Sequence, residues 1–251
     1  MTWSIVARDP ATGHLGIAVA SRFFSVGTLV PHIKPGVGAV ATQAFINPLY
    51  GVDGLAFLAE GRTPEEVIGI LTARDAGHRQ RQMHLMTRDG RNGAFTGSAC
   101  IDWAGHLVDE QVSVAGNMLA GPQVIATTLD VFKKTADKPF IERFLEAMQA
   151  GEDAGGDKRG RQSAAIVIYR DQAYPWIDIR ADDHADPLAE LRRLYAVAGE
   201  RYLHFAELMP TRANPDGLLD RSIIDRRIAE LEEIREREGR PSASFATPWK
   251  P

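Results

Sequence analysis

A chain of 251 residues, 44% hydrophobic and 25% charged, is long enough to bury a sizeable core and has the balance of a folded globular protein, which excludes disordered and fibrous classes. Its formal net charge of -4 leaves no basic footprint for nucleic acid. The single cysteine, Cys100, excludes an intrachain disulfide and a cysteine-based zinc cluster, and no uncharged apolar run approaches the ~20 residues of a membrane span.

In chain order, TWSIVAR (2–8) and HLGIAVA (14–20) are β-rich and flank DPATG, whose Asp, Pro and Gly supply turn chemistry, so a hairpin is expected at the start. Arg8 and Asp9 interrupt the apolar stretch, so no signal peptide is expected and a cytoplasmic location follows as the default. After a loop rich in Gly and Pro, VGAVATQ reads as a buried strand ending near Gln43. Two helices follow: one over about 48–59, and one announced by Thr63, Pro64 and Glu66, a capping box with proline at the first helical position.

RQMHLMTRDGRNGAFTG predicts two strands around a turn at Asp89 and Gly90, and QVSVAGN a third. Helices over about 122–135 and 139–150 precede SAAIVIYR and YPWIDIR, two more strands. The order ββ, β, αα, βββ, αα, ββ departs from βαβ alternation and suggests two stacked sheets with helix pairs outside them, an α/β/β/α sandwich. A helix over 186–209 and a charged one over about 218–238 make an appended pair, giving domains 1–183 and 184–251. The tail carries Phe245 and Trp249 and suggests an arm for a homo-oligomer.

Most chemical motifs weaken on inspection. GVGAVA (36–41) fits G-x-G-x-x-A only on paper, because it follows Pro35 rather than a strand and Pro48 stops the long helix a pyrophosphate needs. The seven histidines form no metal-ligand pair, and DDHAD (182–186) reads as carboxylates capping a helix. Cys100 reads as a small buried hydrophobe. Two stretches keep polar groups against buried strand: AGGDKRGRQSAAIV, with Asp157, Arg159, Gln162 and Ser163, and ATQAFINPLYG, with Thr42, Gln43, Asn47 and Tyr50. Both are expected to shape a small-molecule pocket.

Taken together, MTWSIVARDPATGHLGIAVASRFF, VGAVATQAFINPLYG, RQ (81–82), AFTG, GNMLAGP and GGDKRGRQSAA closely resemble the bacterial domain-of-unknown-function family 1028, classed with the N-terminal-nucleophile (Ntn) hydrolases. The resemblance covers most of residues 2–170 and implies a four-layer sandwich of the Ntn type. It also implies hydrolysis of an amide or other C–N bond by the residue at the mature N-terminus, which is Thr2 once Met1 is removed. A threonine hydroxyl is a weak nucleophile, and the free α-amine of the same residue would serve as its base.

By analogy with such enzymes, Ser21 and Arg22 match a Ser-Arg pair at the end of the hairpin, although the aspartate usual before that serine is Ala20 here. Arg22 becomes a candidate for keeping the amine deprotonated, Asn117 for donating to the tetrahedral oxyanion, and Lys34 a further candidate. The expected activity is amidohydrolysis of a small nitrogenous metabolite, cleaving an amide, cyclic amide or amidine bond without cofactor or metal. A peptidase or peptidoglycan amide hydrolase is one alternative, and a non-catalytic ligand-binding or assembly protein on the same fold is the other.

Overall fold

The computed structural model describes residues 2–247; Met1 and Trp249 lie outside the described residues. The chain divides into two compact units, one through Leu191 and one from Arg192.

In the first unit, β1 (Thr2–Arg8) and β2 (Leu15–Ser21) form the expected hairpin, and both lie inside a six-stranded sheet. β3 (Pro31–Lys34) and β4 (Gly38–Ala44) follow, then α1 (Leu49–Ala59) and α2 (Pro64–Arg74). β5 (Arg81–Thr87), β6 (Asn92–Thr96), β7 (Gly105–Asp109) and β8 (Val112–Asn117) come before α3 (Gln123–Lys134) and α4 (Phe140–Asp153). β9 (Ser163–Tyr169) and β10 (Ile177–Ala181) complete two antiparallel sheets, ordered β10-β9-β2-β1-β8-β7 and β3-β4-β5-β6.

β3 and β7 correct the expected order, because four strands rather than three lie between the helix pairs and a strand precedes β4. Each is an edge strand. With one flank open, PHIK and GHLVD carry no apolar alternation for sequence reasoning to detect.

The period-2 geometry of strands decides what each residue faces. In β1, Thr2, Ser4 and Val6 point toward the four-stranded sheet, where Ser4 bonds Gln43 and Val6 joins a buried cluster with Ala39 and Ala41 of β4. Trp3 points the other way, toward α4, where a Cβ on Gly151 would stand 3.0 Å from its Nε1. α3 and α4 cover that outer face, and Gly16 on β2 admits the Phe144 ring so closely that a Cβ there would sit 2.6 Å from it. α1 and α2 cover the four-stranded sheet, with Tyr50, Leu58, Val67 and Leu71 against Val40, Met83 and Leu85. Thr63 and Glu66 form the capping box expected at the start of α2, exchanging bonds of 3.2 and 2.8 Å.

The expected helix over 186–209 is two: α5 (Pro187–Glu200), which the unit boundary crosses, and α6 (Tyr202–Ala206), broken at Arg201, whose φ of -146 is not helical. Asp186 caps α5 by accepting from the Ala189 N–H at 3.1 Å, the role read for it in DDHAD. In the second unit, α7 (Arg221–Arg237) carries an Asp220 N-cap and buries Ile224 and Ile228. Glu200 takes Arg235 at 3.5 Å and the tail's Ala243 N–H at 2.7 Å, and the Arg193 guanidinium lies over the Phe245 ring. Among the described residues no helix is long and apolar enough to cross a membrane.

Candidate active site

β1 is flanked by β2 and β8, and the register sets Thr2 opposite Ser21 on one side and Asn117 on the other. Three polar residues therefore meet at one end of the interior strands because three strand ends coincide there. The Thr2 hydroxyl donates to Ser21 Oγ at 3.1 Å, and both residues are buried.

Behind Thr2 lies a polar layer between the sheets. Gln43 Nε2 donates to Gln82 Oε1 at 2.9 Å and the Ala115 carbonyl at 3.2 Å, and reaches the Thr2 carbonyl at 3.5 Å. Asn117 Nδ2 donates to the same Gln82 Oε1 at 3.0 Å and to the Thr2 carbonyl at 3.4 Å. Both hydrogens of the Asn117 amide, the expected oxyanion donor, have acceptors within the protein, and one of them holds the main chain of Thr2.

The layer continues through Ser4. Its hydroxyl donates to Gln43 Oε1 at 2.7 Å and lies 2.8 Å from His84 Nε2, and His84 Nδ1 lies 2.7 Å from Ser113 Oγ. Ser4 has one hydrogen and spends it on Gln43. His84 must then carry its proton on Nε2 and donate to Ser4, leaving Nδ1 to accept from Ser113. Burial, reinforced by nearby His106, pushes the His84 pKa down to about 3, so the ring is neutral.

A second device holds the site from outside. The Asp157 carboxylate is buried and accepts from the Arg22 and Arg159 N–H groups, each at 2.8 Å, and from Arg159 Nη2 at 3.3 Å. Asp157 also bridges Leu119, two residues beyond Asn117. This clamp joins the ends of β2 and β8 to the loop before β9. Asp157, expected to bind substrate, accepts here from three N–H groups of the protein. Arg22 reaches the clamp through its main chain, while its side chain is exposed.

The remaining candidates are brought elsewhere. Ser163 ties the loop after β2, donating to the Phe23 carbonyl at 2.5 Å and accepting from the Val26 N–H at 3.1 Å. Gln162 bonds Asp183 at 3.1 Å. Thr42 alternates with Gln43, so it faces the helices, where its hydroxyl donates to the Asn47 carbonyl at 3.1 Å. The Asn47 side chain accepts from the Leu49 N–H at 3.1 Å at the start of α1. Tyr50 donates to Asp75 at 3.0 Å within the helix–sheet layer; Arg81, 2.9 Å from Asp75, holds that carboxyl below the usual range, while burial raises the Tyr50 pKa. Lys34 pairs with Gly38, at the far end of β4 from Gln43. None of these six lines the space around Thr2.

Thr2 lines the smaller of two neighbouring cavities. A small one of about 60 Å³ is lined by Phe23, Val26, Leu29, Val30, Ala44 and Ile46, together with Thr2 and Gln43. A larger one of about 360 Å³ shares Ala44 and is lined by Phe45, Cys100, Ile101, Asn117 and Met118, among others. Cys100 sits at its wall with its thiol donating to the Arg81 carbonyl at 3.3 Å, and half-burial raises its pKa, so it is no thiolate. Among the described residues no group of three or more His, Cys, Asp or Glu could hold a metal.

Sequence reasoning missed Ser4, Gln82, His84 and Ser113. The available signal was the alternation in RQMHLMT, where Gln82 and His84 interleave with Met83 and Leu85 in a strand buried on both faces.

The fold and site define a mixed α/β protein with two antiparallel sheets and a polar cluster at the start of an interior strand. Residues 2–191 match the model of a family of unknown function, DUF1028, and the chain belongs to that family. A crystal structure of protein SPO2555 from Silicibacter pomeroyi, also labelled DUF1028, is similar at 32% identity and a TM-score of 0.81, covering 87% of this chain and 96% of that one. Anbu (ancestral beta-subunit) from Yersinia bercovieri aligns at 13% identity and a TM-score of 0.39, over 83% of this chain and 98% of that one. No curated protein matches the chain.

Proposed function

We propose that this protein is an amidohydrolase of the N-terminal-nucleophile type, with its sheets and helix pairs forming that superfamily's four-layer sandwich and Thr2 as its nucleophile. The observation that carries the reading is the position of Thr2. It opens an interior strand, its hydroxyl is bonded to Ser21 Oγ at 3.1 Å, its carbonyl faces the amides of Asn117 and Gln43, and it lines a cavity. The carbonyl contacts fix the main chain, and the hydroxyl beside a cavity is what supports a chemical role.

With Met1 removed, the α-amine of Thr2 takes the hydroxyl proton as Oγ1 attacks the substrate carbonyl carbon. The tetrahedral intermediate collapses, the C–N bond breaks, and the leaving amine departs with the proton held by the ammonium. Water then adds to the Thr2 ester with the amine again as base, releasing a carboxylic acid and restoring the hydroxyl. For this transfer the Thr2 hydroxyl turns its one hydrogen from Ser21 Oγ to the α-amine, Ser21 then donating to Thr2 Oγ1, and the Asp157 clamp keeps the strand ends in register.

The test begins with the intact mass of the protein as made in its host, which must lack Met1; a mature chain that keeps it ends the mechanism. On a panel of small amides, Thr2→Ala is expected to lose on the order of 10⁴-fold in kcat. Thr2→Ser should restore part of that, and a β-lactone should add one acyl mass to wild type and none to Thr2→Ala.

A further inference from the structure

We infer that the small cavity beside Thr2 is an acyl pocket, and that the substrates are amides of short, uncharged aliphatic acids. The inference rests on Thr2 being the nucleophile, and it concerns what the nucleophile is offered.

The cavity's chemistry is one-sided. Besides Thr2 and Gln43 its walls are Phe23, Val26, Leu29, Val30, Ala44 and Ile46, and among the described residues no charged side chain lines it. Gln43 cannot compensate a ligand charge, since its amide is already shared among Gln82, Ala115 and Ser4. An anionic acyl tail there would lose its water and gain no partner, whereas a hydrocarbon tail loses nothing. At about 60 Å³ the space holds roughly four water-sized groups, which sets the tail near three to five carbons including the carbonyl.

The backbone separates this pocket from its neighbour. Ala44 takes a left-handed φ of 72 at the end of β4, and the turn there sends Phe45 into the wall of the larger cavity and Ile46 into the wall of the smaller. Ala44 lines both. Asn117, cross-strand partner of Thr2, lines only the larger one. A carbonyl held at Thr2 therefore lies at the apolar pocket, and the neighbouring cavity of about 360 Å³, which shares Ala44 with that pocket and is lined by Asn117, gives room for the leaving amine.

Binding can be read without turnover. Methyl resonances of the full-length chain are followed while propionamide, isovaleramide, hexanamide or succinamate is added to wild type, Thr2→Ala, Leu29→Trp and Val30→Ala. The expected result is saturable shifts at Val26, Leu29, Val30 and Ile46. Affinity should rise about fourfold per methylene up to isovaleramide, and succinamate should bind at least tenfold more weakly. Leu29→Trp fills the pocket and should weaken isovaleramide at least tenfold, while Val30→Ala enlarges it and should move the best ligand toward hexanamide.

Equal affinity for succinamate and isovaleramide, shifts confined to other residues, or no saturable binding overturns the inference. Neutral amides that bind wild type and Thr2→Ala alike but are never cleaved by wild type overturn the nucleophile and leave the ligand class standing. Cleavage with no dependence on acyl length does the reverse.

Discussion

The layer between the two sheets has two ends made by the same strands. Two residues separate them on each: Ser4 from Val6 on β1, Gln43 from Ala41 on β4, His84 from Met86 on β5. At one end Val6, Ile17, Val19, Ala39, Ala41 and Met86 bury apolar area, which is non-directional and forgives small changes of shape. At the other, Ser4, Gln43, Gln82, His84, Ser113 and Asn117, all almost wholly buried, are joined by hydrogen bonds that admit one arrangement of protons. The first end supplies stability and the second supplies position. The candidate nucleophile sits at the second.

That contrast can be broken at its strongest point first. Gln82→Leu would strip the acceptor from Gln43 and Asn117 and the donor from Thr96 and the Gly105 and Gly116 carbonyls, all buried or half-buried. A loss of about 4 kcal/mol in urea unfolding is expected, since each orphaned buried group costs about 1 to 3 kcal/mol. A neutral result would mean that the polar end is as forgiving as the apolar one.

The second test uses pH. His84 is held neutral in the folded protein down to about 3, while in the unfolded chain it protonates near its ordinary value of 6.5. Below that value the unfolded state binds the extra proton, so stability falls as pH is lowered. The slope is about 1.4 kcal/mol per pH unit, and it ends only when the folded-state pKa is reached. Replacing His84 with Gln should reduce the measured slope by about that amount between pH 6 and 4. An unchanged slope would remove the neutral, fully bonded ring from the account.

The smallest effect is expected from the apolar end, where Ile17→Val removes one methylene and should cost about 1 kcal/mol with the urea dependence unchanged. A cost rivalling that of Gln82→Leu would erase the distinction between the two ends.

Much of the frame was legible in the sequence because it is local. The β1–β2 hairpin follows from DPATG, and α2 begins where Thr63, Pro64 and Glu66 say it must. Edge strands β3 and β7 were not legible, because an exposed flank leaves no apolar pattern. Of the residues that meet at the start of β1, Thr2, Ser21 and Asn117 were indicated by the family resemblance and Gln43 by a polar group set against a buried strand. Tyr50 and Thr42 misled because a polar group beside a buried strand can find its partner on either face, and one step in register sends Thr42 to the helices and Gln43 to Thr2. Gln82 and His84 owe their importance to distant partners, Gln82 to Gln43, 39 positions away, and His84 to Ser4, 80 positions away, which no local window contains.

The polar layer has a consequence for proton traffic. Two imidazoles join the chains of bonds leading to Thr2, His84 through Ser4 and Gln43 and His106 through Thr96, Gln82 and Asn117, yet each path runs through a side-chain amide. An amide does not titrate and does not hand a proton on. The layer is therefore an insulator: it conveys orientation to Thr2 and no charge, and in the proposed mechanism the base is accordingly the α-amine of Thr2 itself.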